Sequence, residues 1–142
     1  MVKPILTQSS SAEPELGKII RAGLDAFIVA SVGHQDRVPL SVVVRASEDG
    51  KIVGGIRAAT AFGLLTISLV YLPEALRGAG VGRRMMEMVE QEARRRGCRA
   101  GVVPTMSFQA PGFYQRLGWR VLGEIPCDPP GTSQLFLTKD FR

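Results

Sequence analysis

The sequence predicts an α/β (α+β) fold: a mixed, mostly antiparallel central sheet with one parallel strand-helix-strand crossover and helices on both faces. Three observations carry this. An almost continuously apolar run, Leu64–Leu72, precedes the most amphipathic stretch of the chain and then a short β-prone run, Arg99–Val103. That order makes a right-handed parallel crossover. Two Val- and Ile-rich runs flank Glu48-Asp49-Gly50-Lys51, a hairpin signal that makes antiparallel neighbours. Sixteen glycines and nine prolines punctuate 142 residues with no G-X-Y period, so the domain is turn-rich and not collagenous.

Residues 1–12 form a polar lead-in with a serine run, expected to be flexible. Ser11 precedes Pro14 and a helical pattern through about Ser31. Leu16, Ile19, Ile20, Leu24, Phe27 and Ile28 recur there at three and four. His34-Gln-Asp-Arg reads as a loop. Leu40–Ala46 reads as a strand and Ile52–Ala59 as its return. Gly54-Gly55 within the return suggests a bulge or a close backbone approach. Leu64–Leu72, almost continuously apolar, suits a central strand covered on both faces.

The next helix places Val81, Met85, Met88, Val89 and Ala93 on one face. Gly97 is a suitable stop, since glycine tolerates the left-handed cap. After the strand Arg99–Val103, Pro111 fits the first turn of a short helix. That helix holds Phe113, Tyr114 and Leu117 and stops at Gly118. Trp119–Ile125 is a strand, Pro126–Gly131 a proline-rich loop and Gln134–Lys139 the last strand. No internal repeat or low-complexity tract breaks this pattern, so residues 13–142 are expected to be one domain.

Composition narrows the function classes. Apolar residues make up 45% and charged residues 22%, ordinary globular usage that excludes a disordered chain. A chain of this mass buries about two-thirds of its surface, enough for one core without a disulfide or structural metal. The longest apolar stretch, Gly63–Leu72, is half a membrane span. The apolar part of the N-terminus is too short for a signal peptide, so a cytoplasmic protein is expected. Two cysteines 29 positions apart and one histidine, His34, build no metal site. The net charge is +5, and between Arg77 and Arg99 seven arginines face three glutamates. These can be a solvated helix face with i,i+4 pairs such as Glu90–Arg94. They can also meet a phosphate-bearing ligand, nucleic acid or a nucleotide-like cofactor.

The chemistry concentrates in Arg77-Gly78-Ala79-Gly80-Val81-Gly82, between the apolar strand and the amphipathic helix. Glycines let a ligand approach the backbone. The unpaired N–H groups of the first helical turn point at it. The helix dipole and Arg77, Arg83 and Arg84 favour negative charge there, and a pyrophosphate suits that description. The dinucleotide fingerprint fails, because its third glycine would fall on Arg83 or Met85. The phosphate-loop pattern fails too, since Gly17-Lys18 and Gly50-Lys51 are each followed by isoleucine. The plain alternative is a strand-to-helix turn that happens to be rich in glycine.

The hexapeptide resembles the (Q/R)-x-x-G-x-(G/A) pattern of the GNAT-type, acyl-coenzyme A-dependent N-acetyltransferases. Ala110-Pro-Gly-Phe-Tyr-Gln-Arg-Leu-Gly-Trp-Arg-Val is similar to the later FYxxLGF segment of that family, in the right order and at the right distance. The resemblance covers about residues 13–140, and Thr105–Tyr114 followed by Pro129-Pro-Gly131 looks like a subgroup of small bacterial members. It implies a GNAT-like sheet with acetyl-coenzyme A as donor. Backbone N–H groups of Gly78, Gly80, Val81, Gly82 and Arg83, with the side chain of Arg77 nearby, would hold the pyrophosphate. Val70, Tyr71 and Leu72 would pair with the pantetheine arm like an added strand, and an N–H there would polarise the acetyl carbonyl. Tyr114 matches the tyrosine that acts as general acid towards the thiolate. The family often has asparagine seven residues before it; here that position is Ser107, whose hydroxyl keeps one hydrogen bond for the arm.

The implied activity is acetyl transfer to a primary amine of unassigned acceptor, by direct attack in a ternary complex. A lysine-like amine has pKa near 10.4, so its neutral form at pH 7 lies roughly 4–5 kcal/mol uphill. A base or water chain must take that proton; Glu74 and Glu124 lie near the strand ends that flank the expected cleft. A backbone donor for the oxyanion is worth about 3 kcal/mol. A phenol within reach can protonate the departing thiolate. Phe113 and Trp119 read as core, and Tyr114 in the plain alternative packs on the sheet with its hydroxyl at the surface. Two other classes are a non-catalytic acyl-coenzyme A binder and a nucleic-acid-binding protein using the arginines. Against the latter, aromatics are few and do not interleave with the arginines. A homodimer is compatible with the family.

Overall fold

The computed structural model describes residues 3–142. Met1 and Val2 of the expected lead-in lie outside the described residues. The chain divides into two compact units, Met1–Gln35 and Asp36–Arg142.

In the first unit, residues 3–13 form neither helix nor strand. The serine run bonds to itself: the Ser11 N–H donates to Ser9 Oγ at 3.0 Å, and Ser11 Oγ donates to Glu13 Oε1 at 2.8 Å. Helix α1, Pro14–Val32, begins with proline in its first turn, where a missing N–H costs nothing. It ends at Gly33, whose φ of 88° places it in the left-handed cap with its N–H on the Val29 carbonyl. No residue of α1 is buried.

The second unit is a six-stranded sheet. Its elements are β1 (Val38–Arg45), β2 (Ile52–Ala61), β3 (Leu64–Tyr71), a 3-10 turn (Glu74–Leu76), α2 (Val81–Arg95), β4 (Ala100–Met106), α3 (Pro111–Arg116), β5 (Arg120–Cys127) and β6 (Thr132–Asp140). The strand order is β1-β2-β3-β4-β6-β5. Every neighbouring pair is antiparallel except β3–β4, which α2 connects. The predicted mixed sheet with one parallel crossover is therefore present.

Turn chemistry sets the registers. The Glu48–Lys51 hairpin closes with the Gly50 N–H on the Ser47 carbonyl at 2.9 Å. Gly54 and Gly55 are needed where β2 is squeezed between its neighbours. A Cβ on Gly54 would lie 2.5 Å from the Tyr71 carbonyl oxygen, and one on Gly55 2.0 Å from that of Val42. β2 and β3 are joined by Phe62-Gly63, both at positive φ (51° and 77°), the mirror-image turn that matches strand twist. The Asp36 carboxylate accepts the Phe62 N–H at 2.9 Å.

A bulge shapes β3. Arg57 pairs with Leu69 while Ala58 pairs with Ile67, so Ser68 is the extra residue. Its hydroxyl donates to the Arg57 carbonyl at 3.0 Å. An inserted residue switches the face of everything after it. Leu65 and Ile67 face the core before the bulge, and Val70 and Leu72 pack on it afterwards. Leu64, Leu69 and Tyr71 are exposed, so β3 buries one face, not the two expected from its almost continuous apolar run.

The core lies between the sheet and α2. Val89 and Ala93 have no solvent exposure, and Met85 and Met86 almost none; they meet Leu65, Ile67, Val103 and Leu137. Met88, expected on this face, is 57% exposed, and Glu90 is buried instead. The buried stripe is thus turned toward residues 86, 90 and 93. Glu90 can be buried because Lys139 Nζ lies 2.7 Å away, Trp119 Nε1 donates to it at 3.3 Å and Arg94 stands within 4.0 Å. An unpaired carboxylate there would be strongly destabilising. These contacts place α2, α3 and Trp119 on one face of the sheet. Trp119 is core, as predicted.

The C-terminal end of α2 is clamped to β1 and β2. Arg96 donates to the Val38 and Pro39 carbonyls and to Thr60 Oγ1 at 3.1–3.2 Å. Glu92 orients it, accepting from Arg95 and from Arg96 Nε. Gly97 (φ 84°) ends the helix as predicted. Hydrogen bonds from Arg95, then from Arg96, pull the Glu92 carboxyl down to about 2. A depressed carboxyl pKa stabilises the fold above the unfolded value, and that contribution disappears as pH falls toward 2. Glu92→Gln is therefore expected to melt below the parent at pH 7, with the gap closing between pH 4.5 and 2. A gap of constant size in thermal melts across that range would show that the ion pairs contribute nothing.

Candidate active site

The parallel pair β3–β4 is hydrogen-bonded over three residues only: Leu64 with Ala100, Leu65 with Gly101 and Thr66 with Val102. Beyond that point β3 continues along β2 to Tyr71, and β4 continues along β6 to Met106. The facing edges separate into a wedge lined by main-chain groups with no strand partner. Pro104 lies on β4 inside it. The Ser107 N–H points at the Ser133 carbonyl of β6 (2.8 Å). Two-residue alternation therefore turns Pro104 N and Met106 N toward the wedge. Proline is tolerated because no ladder bond is lost there. For this reason β4 runs to Met106, not to Val103 as the sequence suggested. The Met106 N–H is taken at 2.7 Å by Gln109 Oε1, a contact that sequence reasoning missed. Its signal is slight: one glutamine before Ala110-Pro111.

The glycine loop lies at the top of β3. Gly78 (φ 84°) and Gly80 (φ 83°) adopt the left-handed conformation. A Cβ on either would meet nothing within 4 Å, so their outer faces border open space. Gly80 caps α2 with no side-chain hydrogen bond, and the first turn holds no acidic residue. The leading N–H groups of α2, at Val81, Gly82 and Arg83, are therefore left for an external acceptor. Arg77 is exposed and its Nε donates to the Leu72 carbonyl at 2.8 Å, which ties the loop to the end of β3. Arg83 is exposed and pairs with Glu87 at 3.2 Å.

Gly82 joins the loop to α3. A Cβ there would lie 3.2 Å from the Phe113 ring and 3.8 Å from Leu72. The Phe113 ring in turn meets that of Tyr114 edge-on, with centroids 5.2 Å apart. Tyr114 is 6% exposed, and burial pushes its phenol pKa up, so it is protonated at neutral pH. No hydrogen bond to its hydroxyl is formed, and no fully buried side-chain oxygen among the described residues lacks a partner. That hydroxyl thus keeps contact with solvent. Tyr114 packs with Trp119 and offers an accessible acid at its tip.

Ser107 is partly fixed: its Oγ accepts the Ser133 N–H at 2.9 Å, which leaves its own proton to donate elsewhere. The buried Ser133, also missed from sequence, donates to Glu124 Oε1 at 2.6 Å. The registers place Ser107, Ser133 and Glu124 at the same end of the sheet as Tyr71 and Met106. Glu74 is exposed in the 3-10 turn, where its carbonyl accepts the Arg77 N–H. The residues singled out from sequence thus fall into two groups. Val70, Tyr71, Leu72, Arg77, Gly78, Gly80, Val81, Gly82 and Arg83 run continuously from β3 into α2. Tyr114 joins them through Phe113, while Ser107 marks the end of β4. Cys98, the buried thiol, is pushed up chiefly by burial and is chemically quiet.

The close fit at Gly82 is testable. Gly82→Val forces the Phe113 ring away and is expected to cost about 1–3 kcal/mol, the usual penalty of overpacking. Urea unfolding measures it; an unchanged midpoint would mean that α3 shifts freely against α2.

Comparison with known proteins agrees with this geometry. The model of the acetyltransferase (GNAT) family matches residues 15–119. The acetyltransferase Atu2258 of Agrobacterium fabrum is 35% identical over 133 residues, which is 94% of this chain and 96% of that protein. Blasticidin-S acetyltransferase of Streptomyces morookaense is 39% identical over 94 residues, 66% of this chain and 69% of that protein. A crystal structure from Agrobacterium tumefaciens superposes with a TM-score of 0.87 at 34% identity, covering 96% of this chain and 99% of that one. With its glycine loop, its diverging parallel strands and the tyrosine helix beside them, the chain belongs to the GNAT acetyltransferase family.

Proposed function

We propose that the protein is an N-acetyltransferase that moves an acetyl group from acetyl-coenzyme A to a primary amine on a small molecule. The single observation that carries this is the wedge between β3 and β4, opening beside an anion cradle with no side chain in it. The donor is acetyl-coenzyme A. When bound, it supplies a thioester carbonyl activated toward an amine. The backbone N–H groups of Gly78, Gly80, Val81, Gly82 and Arg83 bind its pyrophosphate, with Arg77 beside them. Main-chain groups of Val70, Tyr71 and Leu72 align the pantetheine arm as an added strand, and a free N–H at the wedge stabilises developing oxyanion charge. The hydroxyl of Ser107 donates to the arm from the β4 side.

Tyr114 delivers a proton to the leaving thiolate. Its raised pKa keeps that proton in place until a strong acceptor arrives. The amine must arrive neutral. Glu124, oriented by Ser133, and the exposed Glu74 are the candidate bases for that proton. Attack is direct, in a ternary complex, and no side chain carries the acetyl group. The name of the blasticidin-S relative favours a small, amine-bearing acceptor over a polypeptide. Residues 13–142 act as one acetyltransferase domain in this account, since the family match spans both compact units. Among the described residues no helix is long and apolar enough to cross a membrane, in keeping with a cytoplasmic enzyme; a homodimer accords with the same account.

Two measurements test it. Calorimetric titration with acetyl-coenzyme A is expected to show one site. Gly80→Glu should weaken it several-fold or more, because it puts a carboxylate and its bulk where the anion would sit, at a helix N-terminus where one charge is worth up to about 2 kcal/mol. Gly80→Ala, which adds strain without charge, should weaken it less. No binding to the folded parent would overturn the proposal. Separately, Tyr114→Phe should lower kcat by about 100-fold or more with the dissociation constant for acetyl-coenzyme A nearly unchanged. Donor binding without thiol release for any amine would instead identify a non-catalytic acyl-coenzyme A binder.

A further inference from the structure

At the end of the sheet opposite the wedge lies a cavity of about 260 Å³, lined by Arg99, Ala100, Arg120, Thr138, Asp140 and Arg142. We infer that it is a second anion site, for a phosphate or pyrophosphate group carried by a small metabolite. It is remote from the cradle. β4 starts at Ala100 in the cavity and ends at Met106 beside the wedge, a separation of roughly 20 Å at the rise of a strand.

The registers explain why three arginines meet there. Ala100 pairs with Asp140, and Arg120 with Thr138, so β4, β6 and β5 bring their ends together in adjacent rows. Lys139 reaches Glu90 on α2. Its neighbours Thr138 and Asp140 therefore point to the other face of the sheet, away from α2 and its glutamates. Arg99, Arg120 and Arg142 are exposed. None of their guanidinium groups makes a hydrogen bond or ion pair with a described residue. Elsewhere, by contrast, Arg83, Arg94, Arg95 and Arg96 are matched with Glu87, Glu90 and Glu92. Asp140 carries the one side-chain carboxylate in the lining, and one of its oxygens already accepts the Arg142 N–H at 3.2 Å. The side chains leave a net excess of two positive charges around the hollow.

The frame is rigid where it matters. The Arg99 N–H donates to the Gly63 carbonyl at 2.7 Å, and the Arg99 carbonyl accepts the Phe141 N–H at 2.8 Å. Phe141 is buried and lies beneath the Arg94 guanidinium, 5.0 Å from its ring centre. Thr138 is held by the Gly101 carbonyl at 2.7 Å. Binding thus requires the ordering of side chains only, a small entropic cost. Each guanidinium is a planar fork of five donors suited to bidentate phosphate contact. The hollow falls just under the roughly 300–1,000 Å³ of pockets for drug-sized ligands. Its size favours a compact anion, and its three cations make no extended track for a nucleic-acid backbone.

The test is calorimetric titration of inorganic pyrophosphate, and separately of orthophosphate, into the full chain carrying Gly80→Glu, which weakens the competing site at the glycine loop. One salt-sensitive site is expected. Arg120→Ala should weaken it at least tenfold, since the lost hydrogen bonds are charge-assisted. Arg99→Ala with Arg120→Ala should abolish it, and Asp140→Asn should tighten it. Melting curves of these surface variants should match the parent. Side-chain Nε–Hε resonances of Arg99 and Arg120 should move on titration, which locates the site even if a variant folds poorly. Binding indifferent to the arginines overturns the inference, as does the absence of binding at millimolar anion. A short DNA duplex that binds where pyrophosphate does not also overturns it.

Discussion

The separation of β3 from β4 after three bonded pairs is the constraint to which the rest of the second unit answers. Splitting a sheet at its centre exposes main-chain donors and acceptors, and such groups are costly to leave without partners. The cost is limited in three ways. Each strand keeps a full partner on its outer side, β2 for β3 and β6 for β4. Pro104 removes one donor from the split edge. Gln109 satisfies another, at Met106. What stays open on the β3 side is a strand edge that an extended, amide-bearing ligand can complete.

A split sheet needs a bridge, and α2 is that bridge. Its buried stripe crosses from Leu65 and Ile67 on one side of the wedge to Val103 and Leu137 on the other. Glu90 reaches beyond the wedge to Lys139 on β6 and to Trp119. At the far end, Arg96 fastens the helix to β1 and β2. The same fastening fixes where the N-terminus of α2 stands. The uncapped helix start is therefore placed by packing: the helix is pinned along its length, and no side chain caps its first turn. Cations gathered at its C-terminal end, Arg94 and Arg95, complement the opposite pole of the dipole.

Much of this was legible in the sequence because it rests on local rules. Gly97 and Gly118 stop helices through the left-handed cap, and both do so here. Pro111 opens α3 as expected. Asp49-Gly50 turns the first hairpin. The glycine hexapeptide marked the turn into α2, where Gly78 and Gly80 take the positive φ that glycine adopts at no steric cost. What escaped is tertiary. The Ser68 bulge leaves no mark in an apolar run, yet it switches the faces of Leu69 to Leu72. Glu90 looked like a surface partner for Arg94, because its burial depends on Lys139, 49 positions away. The tight Phe62-Gly63 turn was hidden inside an apolar stretch, its phenylalanine taking a conformation that glycine or asparagine usually takes. The extension of β4 through Pro104 could not be seen, because it depends on the strand that has moved away.

Backbone and side chain divide the chemistry of the site unequally. In the proposed account donor binding rests on main-chain N–H groups and on glycines, so it depends on the path of the chain more than on residue identity. At Ser107 one hydroxyl, braced by the Ser133 N–H, keeps its own proton for the donor role proposed above. Proton transfer, by contrast, depends on single side chains whose surroundings set their acidity. Tyr114 combines both kinds of support. The burial that raises its pKa comes from the same Phe113 and Trp119 packing that fixes α3 against Gly82. Loosening that contact therefore alters the position and the acidity of the phenol together, and the close approach at Gly82 links the glycine loop to the tyrosine proposed as the acid.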